Sequence, residues 1–322
     1  MDTIAAYAPG HVTGIFFIDD LDSDPLKRGS LGAGFSIDPG ATTRIEAPRG
    51  GSADSSHSEY SKRGGFPQFY LNGAAAELDV SSTVCSHFID SAPTLPERNI
   101  IVSHKIDLPQ GSGFGTSGAG ALSLALALNQ WYGAPFSNAE AAQFAHRAEV
   151  ECRTGLGTVI GEYYGGFEIR TKTGAPGYGE ISHIPYQEDL RAVFAVRGPS
   201  STSKALASAE VRDKVNLNGK TALEGLQRDP SVQNFLRYSR QFAEGTGLIT
   251  PWVADILEVL DAHRIIGSML MFGEGVFTLA SADKAADIEA ELHAYCARKF
   301  GGDTVTPVVF TAGINSSGGT LL

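Results

Sequence analysis

The chain has 322 residues, 42% of them hydrophobic, enough for one large domain or two with a real core. Its formal net charge of −11 argues against a nucleic-acid-binding surface, and no apolar run reaches the roughly 18 residues of a membrane span. Cys85, Cys152 and Cys296 are widely spaced with no Cys-x-x-Cys, and the start Met1-Asp2-Thr3-Ile4 lacks the basic region of a secretory signal; both point to free thiols in a reducing cytoplasm.

Residues 3–8 predict a short strand stopped by Pro9-Gly10, and residues 11–18 a strand or turn. The acidic stretch 19–28 predicts a loop, and its Asp19, Asp20, Asp22 and Asp24 lack the EF-hand spacing, so they read as solvated. A glycine cluster at 29–34 precedes strand-like 35–37 and 42–46. Residues 48–67 are polar and rich in glycine and serine, and 74–89 predict a helix.

Between a strand expected over 99–107 and a strong helix former at 122–128 lies the most informative run. Residues 108–121 hold five glycines, two serines and one threonine. Strand, glycine-rich loop and helix start form an arrangement that holds phosphate. Glycines let backbone N–H groups approach the anion, and the unpaired N–H groups of the first helical turn point at it. Ser112, Thr116 and Ser117 add hydroxyl donors or a magnesium ligand. The spacing is not G-x-x-x-x-G-K-[ST], since no lysine follows Gly118, and it is not a complete G-x-G-x-x-G fingerprint. A plain turn before a core helix needs fewer Gly-x-Gly steps and no paired hydroxyls.

Ser137 and Glu140 predict a capping box for a helix running to about Cys152, with Glu149 beside its buried stripe. Residues 155–166 read as a third glycine-rich turn, 167–170 as a strand and 171–180 as a loop. A boundary there divides the chain into domains 1–175 and 176–322. A strand at 193–197 ends at Gly198-Pro199 and the hydroxyl cluster 200–203. Thr250-Pro251 starts a helix to His263. A strand at 268–272 is broken by Gly273-Glu274-Gly275 before 276–279, and Ser281 caps a last helix ending at Gly301. Without a strict βαβ rhythm, this is an α+β or mixed α/β chain in two lobes.

Three separated stretches resemble the GHMP kinases: residues 8–13 with the N-terminal Pro-Gly segment, 109–121 with the phosphate-binding loop and 268–279 with a degenerate C-terminal glycine motif. Within that superfamily, residues 8–14, 29–34, 40–43, 145–150, 154–157 and 268–273 are most similar to the archaeal pantoate kinase family. The resemblance implies an α+β, two-lobed GHMP kinase fold with mixed sheets and an ATP site between the lobes. It implies ATP-dependent phosphorylation of the terminal hydroxyl of pantoate to 4-phosphopantoate, for coenzyme A synthesis. A small-molecule substrate is the expected partner, with a homodimer as the expected assembly. The alternatives are a GHMP kinase for another hydroxy acid or alcohol, and a catalytically weakened nucleotide-binding homologue.

On this resemblance the nucleotide is held by Pro109, Gly111, Ser112, Gly113, Gly115, Thr116, Ser117 and Gly118. Mg2+ is held by Ser117 and Glu149, unless Glu149 pairs with Arg153 at i+4. The family's catalytic aspartate falls on Thr158, a poor base at neutral pH. Three explanations stand open: a loose transition state that needs no strong base, another group such as His11 or Glu162, or an inactive variant. For the anionic acceptor the expected partners are His11, Arg44, Arg197, Ser201, Thr202 and Lys204.

Overall fold

Pro9 and Gly10 do not stop the first strand. In the computed structural model, which describes residues 3–48, 67–92, 99–200 and 208–322, β1 (Thr3–Asp19) runs through them antiparallel to β2 (Gly29–Glu46). The register shifts at Pro9/Gly10 and again between Thr13 and Ile15. Such a bulge absorbs a residue that has no N–H for the ladder. The glycine cluster at 29–34 is likewise part of β2, not a break before it.

The first sheet adds β3 (Gln68–Leu71), β4 (Ala74–Ala75), β5 (Ile101–Ile106), β6 (Phe167–Lys172), β7 (Glu180–His183) and β12 (Thr320–Leu321). Its order is β12-β1-β2-β5-β3-β4, with β6 on the other end of β2 and β7 on β6. Only β3 and β5 pair in parallel among the described residues. The second sheet is antiparallel, in the order β11-β8-β10-β9, from β8 (Leu190–Pro199), β9 (Gly267–Met269), β10 (Gly273–Ser281) and β11 (Val308–Gly313).

The helices are α1 (Asp79–Ser91), α2 (Thr116–Trp131), α3 (Asn138–Cys152), α4 (Thr158–Tyr164), α5 (Ala209–Arg228), α6 (Val232–Thr246), α7 (Pro251–Ala262) and α8 (Ala282–Phe300). α2 is buried without interruption from Gly118 to Asn129. A helix apolar all round belongs in a core, and α2 lies against β1, β2 and α3. Its core includes Ala6, Ala41, Val102, Leu124 and Ala145. A second core joins the two sheets: Phe35 stacks on Phe167 at 5.1 Å, and Phe235 meets Phe167 edge-on at 4.8 Å.

Several expected boundaries move. Ala74 and Ala75 form β4, and the helix starts only at Asp79. The turn expected at 155–166 contains α4. β8 continues through Gly198 to Pro199. The chain bends at Leu270–Phe272, where Phe272 adopts φ +67°, and Gly273–Gly275 lie inside β10. Ser281 precedes α8 without a side-chain capping bond. The expected division at 175/176 falls between β6 and β7. The last strand returns to the first sheet, with Leu321 opposite Ala6. Residues 48–67 lie almost wholly outside the described residues. Among the described residues no helix is long and apolar enough to cross a membrane.

Candidate active site

The three glycine segments interlock around the start of α2. Gly111, Gly113 and Gly115 take φ values of +69°, +90° and +64°, a region that favours glycine. Gly115 is the N-cap and brings no capping side chain, so the first-turn N–H groups are left for a ligand. The His11 N–H donates to Phe114 O at 2.9 Å, tying β1 to the loop. A Cβ on Gly113 would lie 2.6 Å from Met271 O, so the turn before β10 presses on the loop from the other side.

Ser117 sits in the first turn of α2, and Glu149 in the last turn of α3. The expected capping box is present: Glu140 N–H donates to Ser137 Oγ, and Ser137 N–H donates to Glu140 Oε2 at 2.8 Å. Glu149 is buried and accepts from Ser117 Oγ at 2.6 Å and Thr154 Oγ1 at 2.7 Å, both on Oε1. Burial pushes its carboxyl above the ordinary carboxylate range, while these two hydrogen bonds pull it down. Arg153 instead ends the helix in the left-handed conformation at φ +58°. Thr154 was not among the expected site residues.

α4 adds Thr158 and Glu162. A Cβ placed on Gly115 would lie 2.6 Å from Glu162 Oε1 and would collide with the Thr158 methyl. One on Gly118 would lie 2.7 Å from Glu162 Oε2. Glu162 is fully buried, and neither oxygen has a hydrogen-bond partner of normal geometry. Burial, then the charge of Glu149, hold its carboxyl well above the usual range, and the nearby Ala119 N–H draws it down.

Beneath this group lies a buried charge network. Arg170 Nη1 donates to Glu168 Oε1 at 2.6 Å, and Arg170 Nε donates to Ser30 O at 3.3 Å. His11 Nε2 is 2.9 Å from the same Glu168 oxygen, and Thr13 Oγ1 is 3.3 Å from His11 Nδ1. Burial lowers the Arg170 pKa, and the Glu168 charge raises it. His11, expected against the acceptor, is thus a fully buried partner of Glu168.

The other expected residues are spread out. Ser112 is buried, with Oγ donating to Gln110 O at 3.4 Å, while Pro109 and Thr116 are half-buried. Arg44 is exposed on β2; its neighbour Thr43 is buried, 2.8 Å from His104 Nδ1, on the opposite face. Arg197 pairs with Asp303 at 3.2 Å and lies 3.9 Å from Glu274. Ser201, Thr202 and Lys204 lie outside the described residues.

Ser117 and Glu149 offer hard oxygen donors beside a carboxylate, Glu162, that has no partner of its own. Among the described residues no three His, Cys, Asp or Glu side chains group into a metal cage. That set fits Mg2+, which takes one or two carboxylates and completes its shell with phosphate oxygens and water.

Known proteins match this chain over most of its length. The family described as "GHMP kinases N terminal domain" matches residues 74–166. The pantoate kinase of Thermococcus kodakarensis is 33% identical over 297 residues, 90% of this chain and 93% of its own length. The pantoate kinase of Methanocaldococcus jannaschii is 32% identical over 281 residues, 87% of this chain and 94% of its own. A solved structure described as "Phosphotransferase related to CoA biosynthesis pathway" superposes with a TM-score of 0.83 at 28% identity, covering 99% of this chain and 98% of that one.

Proposed function

The chain belongs to the GHMP kinases, and within them to the pantoate kinases, and on that premise we propose that it transfers the γ-phosphoryl group of ATP to the terminal hydroxyl of pantoate, giving 4-phosphopantoate for coenzyme A synthesis. The observation that carries this reading is the Ser117–Glu149 hydrogen bond set at an uncapped, glycine-built helix start. Phosphoryl transfer asks a protein mainly for alignment and charge neutralisation.

The loop N–H groups from Gly111 to Gly118 bind the phosphates, with the helix dipole behind them. Ser117 Oγ and Glu149 would hold Mg2+. Bound there, the ion supplies neutralisation of the β- and γ-phosphate charge. Thr154 keeps Glu149 in place by donating to the same oxygen as Ser117. Thr158 stands where the family carries aspartate. In a loose, metaphosphate-like transition state the acceptor proton leaves late, so alignment by the loop can outweigh a strong base at this position.

The test is ADP release from MgATP with a panel of hydroxy acids and alcohols. Pantoate is expected to give the highest turnover. Protein that binds ATP but releases no ADP in response to pantoate contradicts the reading.

A further inference from the structure

Three glutamates are buried among the described residues: Glu149, Glu162 and Glu168. Glu149 is hydrogen-bonded to Ser117 and Thr154, and Glu168 to Arg170 and His11. Of the three, only Glu162 has neither oxygen in a hydrogen bond of normal geometry, with the Ala119 N–H nearby. A carboxyl left buried without a well-formed hydrogen bond costs stability. Groups kept at such a cost concentrate where they serve function.

The place of Glu162 says which function. It lies four residues after Thr158 on α4, so the two share a face. Helical side chains lean toward the N-terminus, so a glutamate reaches back over the preceding turn, toward position 158. Both residues press on Gly115: the Thr158 methyl and Glu162 Oε1 converge where a Cβ would stand. The second oxygen of Glu162 lies against Gly118, next to Ser117 in the chain.

We propose that Glu162 is a positioning residue for phosphoryl transfer, supplying from one helical turn further along α4 the carboxyl group that the family carries as aspartate at position 158. It acts through the first turn of α2, which both of its oxygens touch, and so on Ser117. Its carboxyl lies with that of Glu149 on the inner side of the phosphate loop. A side chain that merely filled space would be replaced without loss by the isosteric amide, which lacks the carboxyl's titratable proton.

This inference rests on the kinase reading, and the test separates the two. Full-length wild type, Glu162→Gln, Thr158→Asp and the double variant are compared by thermal unfolding without ligand and by steady-state kinetics. Kinetics use the acceptor in the hydroxy-acid panel that gives the highest turnover. Failure with pantoate alone therefore sinks the substrate assignment and still tests Glu162. Glu162→Gln is expected to melt at or above the wild-type temperature, by up to about 2–4 °C. Its kcat is expected to fall at least about tenfold, the low end of a positioned acid–base group, with KM for the acceptor little changed. Adding Thr158→Asp to Glu162→Gln is expected to recover most of that loss. A kcat close to wild type, a fall in kcat that tracks a lowered melting temperature, or a double variant no better than Glu162→Gln each overturns the proposal. No turnover with any acceptor overturns both readings.

Discussion

Ser117 and Glu149, 32 positions apart, are joined by a single hydrogen bond of 2.6 Å that ties the first turn of α2 to the last turn of α3. One strand-loop-helix unit and one helix end thereby meet in a single donor set. Glu149→Gln keeps the shape and removes the charge. It should lower turnover more than tenfold at saturating Mg2+ while circular dichroism and melting temperature stay near wild type. Near-wild-type turnover would exclude Glu149 as a ligand.

Gly115 can carry no side chain. Its φ of +64° resists a Cβ, and one would lie 2.6 Å from Glu162 Oε1. Gly115→Val should abolish ATP binding, because the loop must shift to admit the branched side chain. Calorimetry showing unchanged ATP affinity in a folded variant would remove the loop from the phosphate site.

The Glu168–Arg170 pair is fully buried and 2.6 Å apart. Deleting one partner leaves the other unpaired, which costs about 3–5 kcal/mol. Glu168→Ala should therefore lower stability by that amount in urea titrations. A loss below about 1 kcal/mol would match an exposed pair and contradict the buried network.

Two histidines make stability fall with acid. Burial lowers His104 and His146 from 6.5 to about 4. The unfolded chain therefore takes up protons first. The stability that each histidine contributes is fully present above pH 6.5 and is lost as pH falls toward 4. By pH 5 each histidine removes roughly 2 kcal/mol. Urea midpoints measured at pH 7 and pH 5 isolate this contribution by comparison: relative to wild type, His104→Asn should change the pH dependence by about one proton's slope, in the direction of less loss with acid. The same slope in that variant would contradict the His104 assignment.

Much of the site is legible in the sequence because glycine is there for backbone reasons. The loop at 108–121, the Pro-Gly step at 9–10 and the 268–273 segment announce themselves by residues that few other contexts require, and the structure packs all three together. The capping box at Ser137 fixes α3 and with it the burial of Glu149. Glu168 and Arg170 were hidden by their own pattern. Alternating with Phe167 and Ile169, they read as the wet face of a half-buried strand, yet all four are buried because α4 and His11 cover that face. α4 was hidden among glycines: Gly155, Gly157 and Gly161 read as turn, but Gly155 makes room for Glu149 and Gly161 for the His11 ring. α5 and α6 carry mostly polar exteriors and show their apolar stripes only when packed on β1.

The central claim is phosphoryl transfer to pantoate, and its most direct measurement is 31P NMR of a reaction containing the full-length protein, MgATP and pantoate. The account predicts ADP and a new phosphomonoester signal in equal amounts, coupled to the terminal methylene protons of the acceptor, and neither product when pantoate is omitted. ADP with inorganic phosphate alone, or no product from protein that binds MgATP, would contradict it.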